Sequence, residues 1–241
     1  MLELKDVRVK NYRGDIIKGV SLECRVGENV CLLGANGAGK TTLAHCIGGL
    51  LNIDGGEILF CGERIDRTDM QKRVLAGMVL LPGGRSLFDR MTVEENLLLG
   101  AYLCRDKKAV KERLASVYAL FPRLFEMKGR IAGNLSGGEG QTVAIGRALM
   151  SSPRFLILDE PSVGLSPIMT ENLYRATKKI NEWGVGTLIT EQRTEGVMDV
   201  ADRVYVMENG RIAMQGMAEE IKKDAGLMKA YLGLQSSDID K

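Results

Sequence analysis

Gly34-Ala35-Asn36-Gly37-Ala38-Gly39-Lys40-Thr41 is the stretch on which the reading of this chain turns. The apolar run from Asn29 to Leu33 precedes it, and a segment of helical character from about Lys40 to Leu50 follows. A buried strand, a loop of pattern G-x-x-x-x-G-K-[ST] and a helix, in that order, make a cradle for phosphate. The glycines let the backbone curl until successive N–H groups point at phosphate oxygens. The helix start adds the positive end of its dipole. Lys40 is then placed to reach the β- and γ-phosphates of a nucleotide, and the Thr41 hydroxyl to ligate Mg²⁺. The competing reading, a glycine-rich turn with a surface lysine, lacks a reason for the flanking strand and helix.

A second signal lies downstream. Phe155-Leu156-Ile157-Leu158 is continuously apolar and ends in Asp159-Glu160. A charge at the mouth of a buried strand needs a partner. Asp159 fits the holding of Mg²⁺, and Glu160, one residue on, fits the polarising of an attacking water. Taken alone, the two acids fit equally well as caps of the next turn.

Working outward, Leu2, Leu4, Val7 and Val9 alternate imperfectly, and Val20, Leu22, Cys24 and Val26 alternate cleanly. Both predict strands with one buried face. Asp54-Gly55-Gly56 predicts a turn into a strand from Glu57 to Phe60, and Met78 to Leu81 a buried strand stopped by Pro82. Residues 84–150 then read as all-helical. Thr92-Val93-Glu94-Glu95 has capping-box spacing and opens a helix to about Cys104, Lys108 to Phe121 continues in helical style until Pro122, and another helix follows from Glu139 to Leu149. Ser166-Pro167 starts a helix that runs to Trp183, and a strand from Gly186 to Thr190 follows. Glu208-Asn209-Gly210 joins two further strands as a hairpin, and the tail beyond Gly233 is short and polar.

Composition excludes several classes. The chain has 241 residues, 45% hydrophobic and 27% charged, which is ordinary globular usage. Lys and Arg number 33 against 31 Asp and Glu, too even for a general nucleic-acid binder. The longest apolar run, Leu97 to Cys104, falls far short of the roughly 18 residues of a membrane span. Glu3, Lys5 and Asp6 leave no room for a secretory apolar segment. Five cysteines without a C-x-x-C pair argue against a disulfide framework or zinc site, and for buried thiols in a reducing compartment. His45 is the single histidine, and packing or solvent exposure is its expected fate. The later methionines read as core filling.

Leu135-Ser136-Gly137-Gly138-Glu139 brings in a resemblance. By itself Ser136-x-x-Glu139 is a capping box. With the two motifs above, in this order, the chain resembles the ATP-binding cassette (ABC) ATPases over essentially its whole length. The narrower match is to the ATP-binding subunit of branched-chain amino acid importers. It rests on Gly34 to Thr42, on Gly84-Arg85-Ser86-Leu87-Phe88 with Met91 to Leu97, and on Asp159-Glu160-Pro161-Ser162-Val163-Gly164-Leu165-Ser166-Pro167. The resemblance implies an α/β P-loop NTPase fold with a RecA-like core, an antiparallel β subdomain and an inserted α-helical subdomain. It forms one domain over 1–241, with the nucleotide-binding core in 1–83 and 151–234, the helical subdomain in 84–150 and a tail in 235–241.

The resemblance also assigns roles. ATP is held by Tyr12, stacked on adenine, and by Gly34, Ala35, Asn36, Gly37, Ala38, Gly39, Lys40, Thr41 and Thr42. Thr41 and Asp159 hold Mg²⁺, while Glu160 and Gln192 are catalytic. Ser136, Gly137, Gly138 and Glu139 bind the γ-phosphate held by a second ABC subunit, in a homodimer or heterodimer. Ser162 to Leu165 carries signals across that interface. An integral membrane permease, and through it a solute-binding protein, completes the partner set at the cytoplasmic face of the membrane, with no nucleic acid. Leu87, Phe88 and Met91 are the expected exposed docking patch, the alternative being the core of the helical segment. The function implied is ATP hydrolysis driving uptake of a small solute, by resemblance a branched-chain amino acid; amides, urea, or a weakly hydrolysing ATP-gated cassette are alternatives.

Three positions depart from the family pattern. Gly83 stands where the family carries Gln and the subgroup Glu. Gln192 stands where the wider family has a histidine, a trait shared with the subgroup; it hydrogen-bonds but carries no proton at neutral pH. Gly140 replaces a subgroup glutamine in the first turn of a helix, at a cost of about 1 kcal/mol relative to Ala.

Overall fold

The computed structural model describes residues 1–12, 14–84 and 86–223. In chain order it forms β1 (Leu2–Asn11), β2 (Gly14–Cys24), β3 (Asn29–Leu33), α1 (Lys40–Gly48), β4 (Gly55–Phe60), β5 (Glu63–Arg64), α2 (Met70–Leu75) and β6 (Met78–Leu81). The helical stretch follows: α3 (Val93–Leu99), α4 (Lys107–Leu120), α5 (Pro122–Glu126) and α6 (Gly137–Met150). The chain then returns through β7 (Phe155–Asp159), α7 (Pro167–Glu182), β8 (Gly186–Glu191), β9 (Arg203–Glu208), β10 (Arg211–Met217) and α8 (Ala218–Lys223).

Two sheets result. The smaller, in the order β2-β1-β4-β5, is antiparallel. The larger runs β10-β9-β3-β8-β7-β6; its strands β9, β3, β8, β7 and β6 are parallel, with β10 closing one edge as the antiparallel arm of the Asn209-Gly210 hairpin. Strands of a parallel sheet are buried on both faces, which explains why β3 and β7 read as unbroken apolar runs. Cys31, Leu33, Leu156 and Leu158 face a core shared with the helical segment. Val30, Leu32, Phe155 and Ile157 face the core beneath the antiparallel sheet and α1. Each such side chain contributes about 1.5–3 kcal/mol when fully buried. The carboxyl ends of β3, β7 and β8 therefore meet on one edge, where ligands of open α/β sheets bind.

Several expectations need correction. β2 stops at Cys24, and Val26 lies outside it, exposed in the turn to β3. The α-helix from Thr92 ends at Leu99 rather than near Cys104; beyond it the N–H groups of Gly100, Ala101, Tyr102 and Cys104 bond three residues back. Pro122 does not only end a helix but opens α5 as its first residue. The helices α2 and α8 had no clear sequence signal. Cys24, Cys31 and Cys46 are buried as expected, but Cys61 is exposed and Cys104 only partly covered. The polar tail beyond Gly233, including 235–241, lies outside the described residues.

Candidate active site

The glycine-rich loop leaves β3 at Leu33 and enters α1 at Lys40. Gly39 is the N-cap with φ of 108°, a left-handed conformation that glycine adopts without a Cβ penalty. Having no side chain, it gives α1 no cap hydrogen bond, and the first turn holds no acid. The leading N–H groups of a helix lack intrahelical partners, so this end is open to an anion.

Lys40 is buried, 3% exposed. Its Nζ donates to Gly34 O at 2.8 Å and Ala35 O at 3.2 Å, and pairs with Glu160 Oε1 at 3.2 Å. A buried ammonium needs such acceptors to offset the lost hydration. Thr41, one residue on, donates from Oγ1 to Asp159 Oδ1 at 3.2 Å. Thr190 Oγ1 donates to the same oxygen at 2.7 Å, because the register of β7 and β8 sets Asp159 beside Thr190.

Glu160 itself sits at φ of +46°, unusual for a residue with a Cβ and worth about 1–3 kcal/mol of strain. Its N–H is held by Thr190 O at 3.1 Å and Thr190 Oγ1 at 3.0 Å. The strain and its anchor turn the Glu160 carboxylate back toward Lys40. Sequence reasoning missed Thr190: a threonine in a strand carries no local sign that it will brace the last residue of the neighbouring strand and the acid after it.

Glu191, at the end of β8, is also new. It is buried, and accepts from Tyr174 Oη and Ser162 N, both at 3.0 Å. Burial is the main reason its carboxyl lies above the usual glutamate range, with the Glu160 charge adding to the effect and the Ser162 and Tyr174 hydrogen bonds opposing it. Its neighbour Gln192 is exposed and shares a hollow with Ser162, Val163, Gly164 and Leu165.

The remaining expected residues lie apart from this cluster. Tyr12 is 88% exposed in the turn between β1 and β2. Ser136 caps α6: its Oγ accepts from Glu139 N at 3.4 Å, and Glu139 Oε2 accepts from Ser136 N at 2.9 Å. The Ser136 N–H, and after it the Ser136 hydroxyl, hold the Glu139 carboxyl below its usual range, and Arg130 adds to the effect. A Cβ on Gly138 would lie 2.7 Å from Met169 Cε, so that glycine lets α6 and α7 approach. Of the proposed docking patch only Phe88 is exposed. Leu87 packs against the core and Met91 is half-buried, because Asn96 clamps the Phe88 backbone at 3.0 and 3.1 Å and folds the segment inward.

Thr41 Oγ1 and an Asp159 carboxylate oxygen at 3.2 Å form a pair of hard donors. Among the described residues no group of three or more His, Cys, Asp or Glu could hold a metal. That donor set suits Mg²⁺, which takes one or two protein ligands and completes its shell with water and phosphate.

Residues 17–163 match the family model described as ABC transporter. BraG of Pseudomonas aeruginosa, a high-affinity branched-chain amino acid transport ATP-binding protein, is 40% identical over 228 residues, covering 94% of this chain and 97% of BraG. LptB of Haemophilus influenzae, a lipopolysaccharide export system ATP-binding protein, is 34% identical over 229 residues, covering 94% and 95%. The crystal structure of the ADP conformation of MJ1267, an ATP-binding cassette of an ABC transporter, superposes with a TM-score of 0.85 at 28% identity, covering 97% of this chain and 99% of that one.

Proposed function

The chain belongs to the ABC transporter family as an ATP-hydrolysing, ATP-binding subunit, and we propose that it drives import of a small solute, foremost a branched-chain amino acid. The observation that carries the site assignment is the meeting of Lys40 and Thr41 with Asp159 and Glu160 across the carboxyl ends of β3 and β7. The amides from Gly34 to Thr42 and the bare start of α1 receive the phosphates of ATP. Lys40 gives up its carbonyl partners for the β- and γ-phosphates, which frees Glu160 to hold a water in line with the γ-phosphate. Thr41 and Asp159 would hold Mg²⁺, which when bound neutralises charge on the β- and γ-oxygens. Gln192 offers an amide hydrogen bond to the γ-phosphate, and Tyr12 a ring to adenine.

Ser136, Gly137, Gly138 and Glu139 serve the nucleotide of a second ABC subunit, since none of their hydrogen bonds among the described residues reaches Lys40, Asp159 or Glu160. The helical segment, with Phe88 at its surface, meets an integral membrane permease, which places the chain at the cytoplasmic face of the membrane. Among the described residues no helix is long and apolar enough to cross a membrane. The importer reading draws on BraG; the likeness to LptB supports export as the second reading.

Reconstitution with its permease in vesicles tests the choice. Leucine uptake that requires ATP, and leucine-dependent phosphate release, are expected. Turnover stimulated by a lipid cargo and indifferent to leucine would contradict the importer reading.

A further inference from the structure

His45 is four residues beyond Thr41 in α1, so the two side chains lie on one face of the helix. That face looks at Asp159. Thr41 and Thr190, the hydroxyl donors to the Asp159 carboxylate among the described residues, both use Oδ1. The other oxygen, Oδ2, lies 3.7 Å from His45 Nε2. That separation is longer than a hydrogen bond. The imidazole nitrogen is nonetheless buried and, among the described residues, has no hydrogen-bond partner. A buried N–H left without an acceptor is costly, so the atom has reason to find one.

Gly83 adds an independent observation. A Cβ there would lie 3.5 Å from Asp159 O and 3.8 Å from Asp159 Oδ2, in ordinary contact. A side chain at position 83 would thus start out beside the same oxygen, and glycine supplies none. Among the described residues, the imidazole is the side chain in place on this side of Asp159.

We propose that His45 is a positioning residue for Asp159, donating from Nε2–H to Oδ2 and taking the place beside the carboxylate that Gly83 leaves open. A sub-ångström swing of the imidazole makes the bond. The need for it arises when Thr41 turns its hydroxyl to a ligand: Thr190 alone then holds Oδ1, and His45 fixes the far side of the carboxylate. Partners that orient a metal-binding group typically tune metal affinity by about 10–100-fold. The inference rests on the reading of Thr41 and Asp159 as the pair that holds Mg²⁺.

The test is binding of a fluorescent, non-hydrolysable ATP analogue to the full chain, titrated with Mg²⁺ and repeated in EDTA. His45→Ala is expected to raise the Mg²⁺ concentration for half-maximal enhancement by about tenfold, with affinity in EDTA unchanged. His45→Gln, which keeps a donor at the same reach, should behave as the unsubstituted protein. Gly83→Gln added to His45→Ala should recover part of the loss. If His45→Ala does not fold, His45→Leu, which keeps the packed volume, is read in the same way. Equal weakening in EDTA and Mg²⁺ would reduce His45 to a packing residue and overturn the proposal. So would an unshifted Mg²⁺ titration in a protein where Asp159→Asn abolishes the response. An unsubstituted protein whose binding ignores Mg²⁺ would overturn the reading of Thr41 and Asp159 itself, and the role of His45 with it.

Discussion

The chain contains two glycine-rich helix starts, and they are built in opposite ways. α1 begins at a glycine that caps nothing, with no acid in its first turn and a buried lysine at its first position. α6 begins at Ser136, with a full capping box and Glu139 drawn to Arg130 at 3.1 Å. The first is bare and positive, with Lys40 and Thr41 meeting Glu160 and Asp159 at the end of β7. The second is sealed by its own capping box and by Arg130. A helix start left uncapped at the edge of a parallel sheet is a receptor for anions. A capped one has its end filled from within, here with Gly137 half-buried and Gly138 packed against Met169.

Substitutions can break that contrast. Glu160→Gln should abolish steady-state phosphate release, a fall of about 10²–10⁴-fold, while ATP binding persists. Normal turnover would remove Glu160 from its role. Lys40→Ala should weaken nucleotide binding by about 10–100-fold, the worth of a charge-assisted hydrogen bond of 1.5–3 kcal/mol. Unchanged affinity in a fluorescence titration would refute the bare helix start as the phosphate site. Ser136→Ala should lower hydrolysis and cost about 1 kcal/mol of stability, yet leave binding of nucleotide to a single subunit intact. If binding fell instead, the two helix starts would serve the same nucleotide.

The smallest effect concerns Glu191, at the end of β8, which accepts from Ser162 N and Tyr174 Oη beside the carboxylate partners of the first of these helix starts. Its folded carboxyl lies above the ordinary value of 4.5. The folded state therefore holds the proton longer than the unfolded state. Stability from this group is full below the unfolded value and declines as pH rises through the folded one. Glu191→Gln should flatten that decline in urea unfolding followed from acid to neutral pH. A slope unchanged by the substitution would assign the pH dependence elsewhere.

How much of this was legible in the sequence depends on range. The loop at 34–41, the acids after β7, the capping boxes at Thr92 and Ser136 and the Ser166-Pro167 start are local patterns, and each forms where its spacing predicts. Thr190, Glu191 and His45 were illegible for the opposite reason. Thr190 matters through the register of β8 on β7, and Glu191 through its burial against α7. His45 matters through the face of α1 that packing turns toward Asp159. Leu87 shows the same limit in reverse: its pattern fits a surface patch, and only the clamp of Asn96 on Phe88 reveals that it turns inward.

The most direct test of the central claim is a crystal structure of the Glu160→Gln protein grown with Mg²⁺ and ATP. The account predicts phosphates seated on Lys40 Nζ and the amides of residues 37–42, with the Ser136–Gly138 turn of a facing subunit against the γ-phosphate. Nucleotide bound away from that loop, or seated there with the facing side closed off by the chain's own residues, would contradict it.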